Sequence, residues 1–258
     1  MELYRGDCLE LMKNIPDGSV DMVLCDLPYG TTHCEWDKRI PFPPLWEQYK
    51  RVSKKNAAIV LFSSQPFTTD LINSNRKMFR YEIIWEKTLP TNFLNAKKQP
   101  LRNHENIVVF YRKVPTYQPI KRVVPRNDIG RKRTNSGAAN QYNEFRNGSY
   151  QYTEDGTRFP TDVIKFSSWN GALFGKTENA TKHPTQKPVP LLEYLIKTYT
   201  NEGDLVLDNC MGSGSTGVAC INTGRDFIGI EKDEKYFSIA QERIERAREQ
   251  LRLTDFPE

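Results

Sequence analysis

Apolar residues in this chain come in short blocks divided by polar text rich in glycine and proline, and the blocks alternate between two periods. Val20 to Cys25 and Ala57 to Phe62 are nearly continuous apolar runs, as expected of strands covered on both faces. Glu2 to Arg5, YEIIWEK from Tyr81 and ENIVVFYR from Glu105 are further strand candidates. Between them, short helices are predicted from about Leu9 and around Pro44 to Val52. Downstream, PVPLLEYLIKTYT sets Leu191, Leu192, Leu195, Ile196 and Tyr199 at helical spacing. DLVLDNC and RDFIGIE then predict strands, with a helix starting in GSTGVACIN between them. Lys235 to Leu251 predicts a charged helix whose stripe of Tyr236, Ile239, Ala240, Ile244 and Ala247 packs on the sheet. This alternation predicts an α/β fold with a mostly parallel sheet and helices on both faces.

The strand LVLDNC runs directly into GSGSTG, a GxGxxG pattern formed by Gly212, Gly214 and Gly217, and the following strand ends in an acid, Glu231. Strand, glycines, helix, strand and acid in that order form a nucleoside-binding fingerprint. Glycines let the backbone approach a ligand, and a carboxylate at the second strand tip can accept hydrogen bonds from both ribose hydroxyls. Such a unit usually opens its sheet, whereas here it lies near the C-terminus. The order is therefore expected to be circularly permuted, which costs little because chain ends in compact domains lie close together. Gly6 to Cys8 then marks the tip of the third strand, with Asp7 over the ligand's base, and CDLPY marks the tip of the fourth.

The stretch CDLPYG, from Cys25 to Gly30, carries more chemistry than a turn requires. An aromatic exocyclic amine is a poor nucleophile because its lone pair is delocalised into the ring, so a site that alkylates it must hold both N–H groups with acceptors. The Asp26 carboxylate is one acceptor. The Leu27 carbonyl can be the other, since Pro28 forces the preceding residue into an extended conformation. Tyr29 offers a face on which a base can stack, a contact worth roughly 1–3 kcal/mol. A base inside a duplex cannot reach such a clamp and must be flipped out.

At 258 residues, 38% hydrophobic and 27% charged, the chain can bury one large core with a small insertion. The net charge of +5 is localised: Lys113 to Lys182 holds twelve basic against six acidic residues, and the remainder is close to neutral. That segment also carries nine aromatics, including Tyr142, Tyr150 and Trp169, a composition suited to phosphates and bases, and equally to a solvated insertion. Five cysteines without CxxC spacing are expected to be reduced thiols, and no structural metal is expected. No apolar run approaches a membrane span, and MELYRGDCLE has neither a basic leader nor an apolar core, so a cytoplasmic protein is expected.

DLPY, DNCMGSGST and HPTQKP (His183 to Pro188), with LFSSQPF and RNHENIVVFYR, together resemble the amino-specific DNA methyltransferases of the permuted beta group. In that family the corresponding motifs are D-P-P-Y, D-P-F-x-G-S-G-T-T and H-P-T-x-K-P. The resemblance implies a Rossmann-like methyltransferase fold, S-adenosyl-L-methionine as cofactor, DNA as partner and, by family habit, a homodimer. It divides the chain into a catalytic part, 1–115, a target-recognition insertion, 116–181, and a cofactor-binding part, 182–258. Carried over by residue, Asp26, Leu27, Pro28 and Tyr29 hold the base. Asp208, Asn209, Gly212, Ser213 and Gly214 line the methionine and ribose part of the cofactor, Glu231 its ribose and Asp7 its adenine. Thr185 and Lys187 fit the methionine carboxylate, Lys187 as a point charge. DNA-facing positions fall on Lys97, Lys98 and Arg102, and on the basic text Arg131, Lys132 and Arg133. Leu27 stands where the family has proline, and Asn209–Cys210 where it has Pro-Phe, which changes how the pocket is packed. Aspartate at position 26, where others have serine, favours adenine N6 over cytosine N4. Both amines fit the clamp, and a nicotinamide oxidoreductase or an inactive DNA-binding module remain alternatives. Thr31 to Pro44 reads as a lid over the base or as a plain surface loop.

Overall fold

The two apolar runs form the middle of one sheet. The computed structural model describes residues 1–31, 37–123, 132–133, 150–151, 156–167 and 186–254. Its main sheet has eight strands: β1 (Glu2–Arg5), β2 (Val20–Asp26), β3 (Ser53–Ser63), β4 (Phe79–Thr91), β5 (Arg102–Phe110), β6 (Val163–Phe166), β7 (Leu205–Asp208) and β8 (Asp226–Glu231). They lie in the order β1-β8-β7-β2-β3-β5-β4-β6. The first five pair in parallel, β5 runs antiparallel to both β3 and β4, and β6 is parallel to β4.

Placed against the doubly wound order 3-2-1-4-5, β7 and β8 hold the first two positions and β1, β2 and β3 the next three. The sheet is thus a doubly wound sheet whose chain starts at its third strand, which is the expected permutation. Parallel strands bury both faces, and alternate residues of β2 show it: Met22 and Leu24 join one core, Val23 and Cys25 the other. Helices α4 (Val189–Tyr199), α5 (Ser215–Asn222) and α6 (Glu234–Thr254) cover the first face, through Leu195, Cys220 and Ile244 among others. Helices α1 (Cys8–Leu11), α2 (Phe42–Val52) and α3 (Phe67–Ser74) supply Cys8, Tyr49 and Leu71 to the second.

Among the α-helices and strands of the large sheet, α3 and β6 have no counterpart in the sequence reading. The described residues divide into two compact units, Met1–Gln118 with Asp162–Glu258, and Pro119–Thr161. Strand β6, inside the stretch 116–181, therefore belongs to the large sheet. The small unit holds two antiparallel ribbons, Arg122–Val123 with Thr157–Arg158, and Lys132–Arg133 with Tyr150–Gln151. Among the described residues no helix is long and apolar enough to cross a membrane.

The third glycine of the fingerprint is explained by packing. A Cβ at Gly217 would fall inside the contact radius of Ile244 of α6 and Phe227 of β8. Gly217→Ala is therefore expected to lower stability by about 1–3 kcal/mol through overpacking. Ile244→Val, which removes the nearest of the atoms in the way, should restore part of that loss in the double variant, read as a non-additive shift in chemical denaturation.

Candidate active site

Strands β2 and β7 lie side by side, with Met22 opposite Val206 and Val23 opposite Leu207. Their carboxyl ends bring Asp26 and Asp208 to one sheet edge, flanked by the ends of β8 and β1 at Glu231 and Gly6. A hollow of about 700 Å³ opens there, lined by Asp7, Asp26, Tyr29, Lys187, Gly212 and Glu231, among others. This is the edge at which doubly wound sheets bind ligands, at the point where strand order reverses.

One half of the hollow is built around the glycine turn. Gly212 and Gly214 have φ of 51° and 79°, in the left-handed region that favours glycine. At Gly214 an added Cβ would lie 2.9 Å from Ala240, whereas at Gly212 it would meet nothing within 4 Å. Gly212 thus presents bare backbone to open space. Glu231 braces the turn, accepting from the Gly212 N–H at 2.9 Å and from the Asp233 N–H at 2.8 Å. Burial pushes its carboxyl above the usual range. Asp208 does related work deeper down, accepting from the Thr216 hydroxyl at 2.6 Å and the Cys210 N–H at 3.1 Å. Burial pushes it up to about 6. Asn209 accepts from the Tyr49 hydroxyl at 2.6 Å, so the residue in place of the family's proline ties the turn to α2. Ser213 is held by Arg243, whose guanidinium donates to its carbonyl at 2.5 Å and its hydroxyl at 2.9 Å. Asp7 caps α1 by accepting from the Leu9 N–H at 3.0 Å and faces Lys232 at 3.5 Å.

The other half is the clamp. Asp26 accepts from the Tyr29 hydroxyl at 2.7 Å on one oxygen and from the Lys187 ammonium at 2.5 Å on the other. Lys187 also lies 3.4 Å from Glu105, which is paired in turn with Lys87. Burial opposes the Lys187 charge, but Asp26 and Glu105 outweigh it and hold the ammonium above its ordinary range. Likewise burial opposes the Glu105 charge, but Lys187 and Lys87 hold its carboxyl below the usual value. The Tyr29 hydroxyl is pushed well up by burial and then by Asp26, so it stays a donor. Its ring stacks on Phe67, with centroids 5.0 Å apart. Arg39 donates to the Tyr29 carbonyl at 2.6 Å and pairs with Asp70 of α3, while Asp37 accepts the N–H groups of Gly30 and Thr31 at 2.9 Å. A second cavity of about 340 Å³ adjoins the clamp, lined by Tyr29, Ser64, Gln65, Lys87, Thr91, Arg102 and Glu105.

Lys187, expected at the cofactor's carboxylate, has Asp26 and Glu105 as its partners. Thr185, Arg131, His183 and the middle of the expected lid, residues 32–36, lie outside the described residues. For Lys132 and Arg133 only the ribbon backbone is described. Lys97, Lys98 and Arg102 are exposed on the β4–β5 hairpin, with Arg102 donating to Ser64 at 2.6 Å. Residues that sequence reading passed over are Lys87, Glu105, Arg39, Asp37, Phe67 and Arg243. Only Glu105 carried a local signal, a lone acid at the start of the apolar run NIVVF. Cys8, Cys25, Cys210 and Cys220 are free thiols, Cys25 pushed up to about 12 by burial. Among the described residues no cluster could hold a metal ion.

The profile of the DNA methylase family, which unites N6 and N4 enzymes, matches residues 20–242. The chain belongs to that family. It is 26% identical over 253 residues to the Type II methyltransferase M.HpaI of Haemophilus parainfluenzae, covering 94% of this chain and 74% of that one. It is 50% identical to M2.DpnII of Streptococcus pneumoniae over 82 residues, which is 31% of either chain. Among solved structures, the M1.HpyAVI–SAM complex superposes with a TM-score of 0.60 at 25% identity, covering 94% of this chain and 98% of the other. The chain is a site-specific DNA methyltransferase that uses S-adenosylmethionine. The open backbone at Gly212 beside the Glu231 carboxylate fits such a cofactor.

Asp208 binds a proton more tightly folded than unfolded, so the stability it lends is present below its ordinary value of 3.8 and lost as pH rises through about 6. Wild type is expected to lose about 2–3 kcal/mol more than Asp208→Asn between pH 4 and pH 7. Denaturant titrations of both proteins at the two pH values check it.

Proposed function

We propose that the methyl acceptor is the exocyclic N6 amine of an adenine flipped out of DNA. The observation that carries this reading is the position of Asp26, a carboxylate acceptor held between Tyr29 and Lys187 in the hollow that Gly212 and Glu231 also line. Each carboxylate oxygen has two lone pairs, so Asp26 can keep both present partners and still accept an amine N–H. The Leu27 carbonyl accepts the second N–H. With both hydrogens held, the nitrogen lone pair is drawn out of conjugation with the ring. Bound S-adenosylmethionine supplies an electrophilic methyl on sulfonium. As the N–C bond formed and the methyl–sulfur bond broke to leave a neutral thioether, positive charge would pass to the nitrogen beside Asp26, so orientation and charge complementarity would supply the catalysis. The extra proton on nitrogen then leaves to water.

Lys187 acts here on Asp26: it stabilises the anionic acceptor and fixes its orientation. Asp7, Asn209, Ser213, Gly214 and Thr185 are read as cofactor-facing, with Asp208 bracing the turn from below. The stretch 116–181, with Arg131, Lys132 and Arg133, is read as the region that contacts the target sequence, and Lys97, Lys98 and Arg102 as phosphate contacts. Aspartate at position 26 and the family pattern support adenine over cytosine.

Asp26→Ala is expected to slow methyl transfer by about 10²- to 10³-fold while leaving cofactor affinity within a few-fold, measured by methyl incorporation and calorimetry. Mass analysis of nucleosides from treated DNA should show N6-methyladenine. N4-methylcytosine in its place would refute the adenine reading.

A further inference from the structure

The hairpin joining β4 to β5 ends in a tip that nothing in the base clamp or cofactor hollow uses. Asn92 enters it in the left-handed region, φ 74°, and a 3-10 turn follows over Phe93–Asn95. The Asn95 side chain donates to the Asn92 side chain at 2.7 Å, the Asn95 N–H to the Asn92 carbonyl at 3.0 Å, and the Lys98 N–H to the Asn95 carbonyl at 2.8 Å. The tip is therefore a bonded structure that displays particular side chains. Those it displays are apolar: Leu94 is 100% exposed and Phe93 65%. Leu89 on the stem is also exposed. Large apolar groups held outward together mark a surface that meets a partner.

Charge identifies the partner. From Thr88 to Asn103 the chain has no acid and three bases, Lys97, Lys98 and Arg102. An apolar pair within a basic frame fits a polyanion with an apolar interior, which is stacked DNA. The stem also leads to the clamp: Lys87 is paired with Glu105, and Thr91 and Arg102 line the cavity that Tyr29 shares. Lys87 to Thr91 spans roughly 13 Å of strand, longer than a groove depth of about 8 Å.

We propose that Phe93 and Leu94 form a wedge that enters the base stack of duplex DNA beside the flipped nucleotide. The inference rests on the flipped-base reading above. Extrusion costs a few kcal/mol in lost stacking and pairing, and apolar side chains driven between base steps offset such a cost in proteins that kink DNA. The wedge thus acts on duplex opening, not on methyl transfer to a base already free.

The test uses the full chain, with its target site first mapped on plasmid DNA, and the double variant F93S/L94S. Both positions are exposed, so the fold should persist, checked by thermal melting. Methyl incorporation is compared on a perfect duplex and on one with a mismatch opposite the target base, where flipping is cheaper. The variant is expected to lose roughly 10- to 100-fold on the perfect duplex and to recover to within about 3-fold of wild type on the mismatch, with cofactor affinity unchanged. Equal activity on the perfect duplex, or an equal loss on both, would overturn the wedge alone. So would a shift in sedimentation showing that the tip joins two copies of this chain. Absence of methyl transfer by the unaltered protein would overturn the flipped-base reading as well.

Discussion

The parallel pairing of β2 with β7 is the constraint on which the site depends. These strands come from opposite ends of the chain, and each ends in an aspartate at the same sheet edge. Asp208 turns inward to hold the glycine turn through Thr216 and Cys210, while Asp26, on the neighbouring strand, stays at the lip. A residue slip in this register would exchange the faces of β2, exposing Met22 and Leu24 to the wrong helices and turning Asp26 away from the hollow. The two cores on either side of β2 therefore enforce the geometry of the site as well as the stability of the sheet.

Upon that scaffold sits a chain of alternating charge: Lys87, Glu105, Lys187 and Asp26. Isolated burial of any one would cost several kcal/mol, and alternation is what makes the set tolerable. It also links three separate parts of the molecule: the β4–β5 hairpin, the residues leading into α4, and the end of β2. Asp26 is thus oriented by groups that reach back to the β4–β5 hairpin.

Much of the fold was legible because its determinants are local. Apolar runs marked the buried parallel strands, and Gly212 and Gly214 marked a turn that needs positive φ. That Gly217 serves a helix contact with no room for a side chain came only from the structure. Strand β6 was not legible, since four residues VIKF gain strand character only from Ile84 to Lys87 beside them. Helix α3 was not legible, since its eight residues FTTDLINS span barely two turns, and Phe67 and Leu71 find their purpose only in the second core and against Tyr29. Lys187 shows the same limit within the site: a lysine in HPTQKP carries no local sign of its partners, which sit on β2 and β5.

By itself the sequence determined the class of sheet, its permuted order, the acid and aromatic of the clamp, and the glycine turn. Each of these follows from backbone conformation or side-chain type at neighbouring positions. Only tertiary structure decided that Asp26 is held by Lys187 and Tyr29 together, that Asn209 bonds Tyr49, and that Glu105 joins the hairpin to the clamp. Those are pairings between residues far apart in the chain, and their energies exist only once the sheet has brought the partners within a few ångströms.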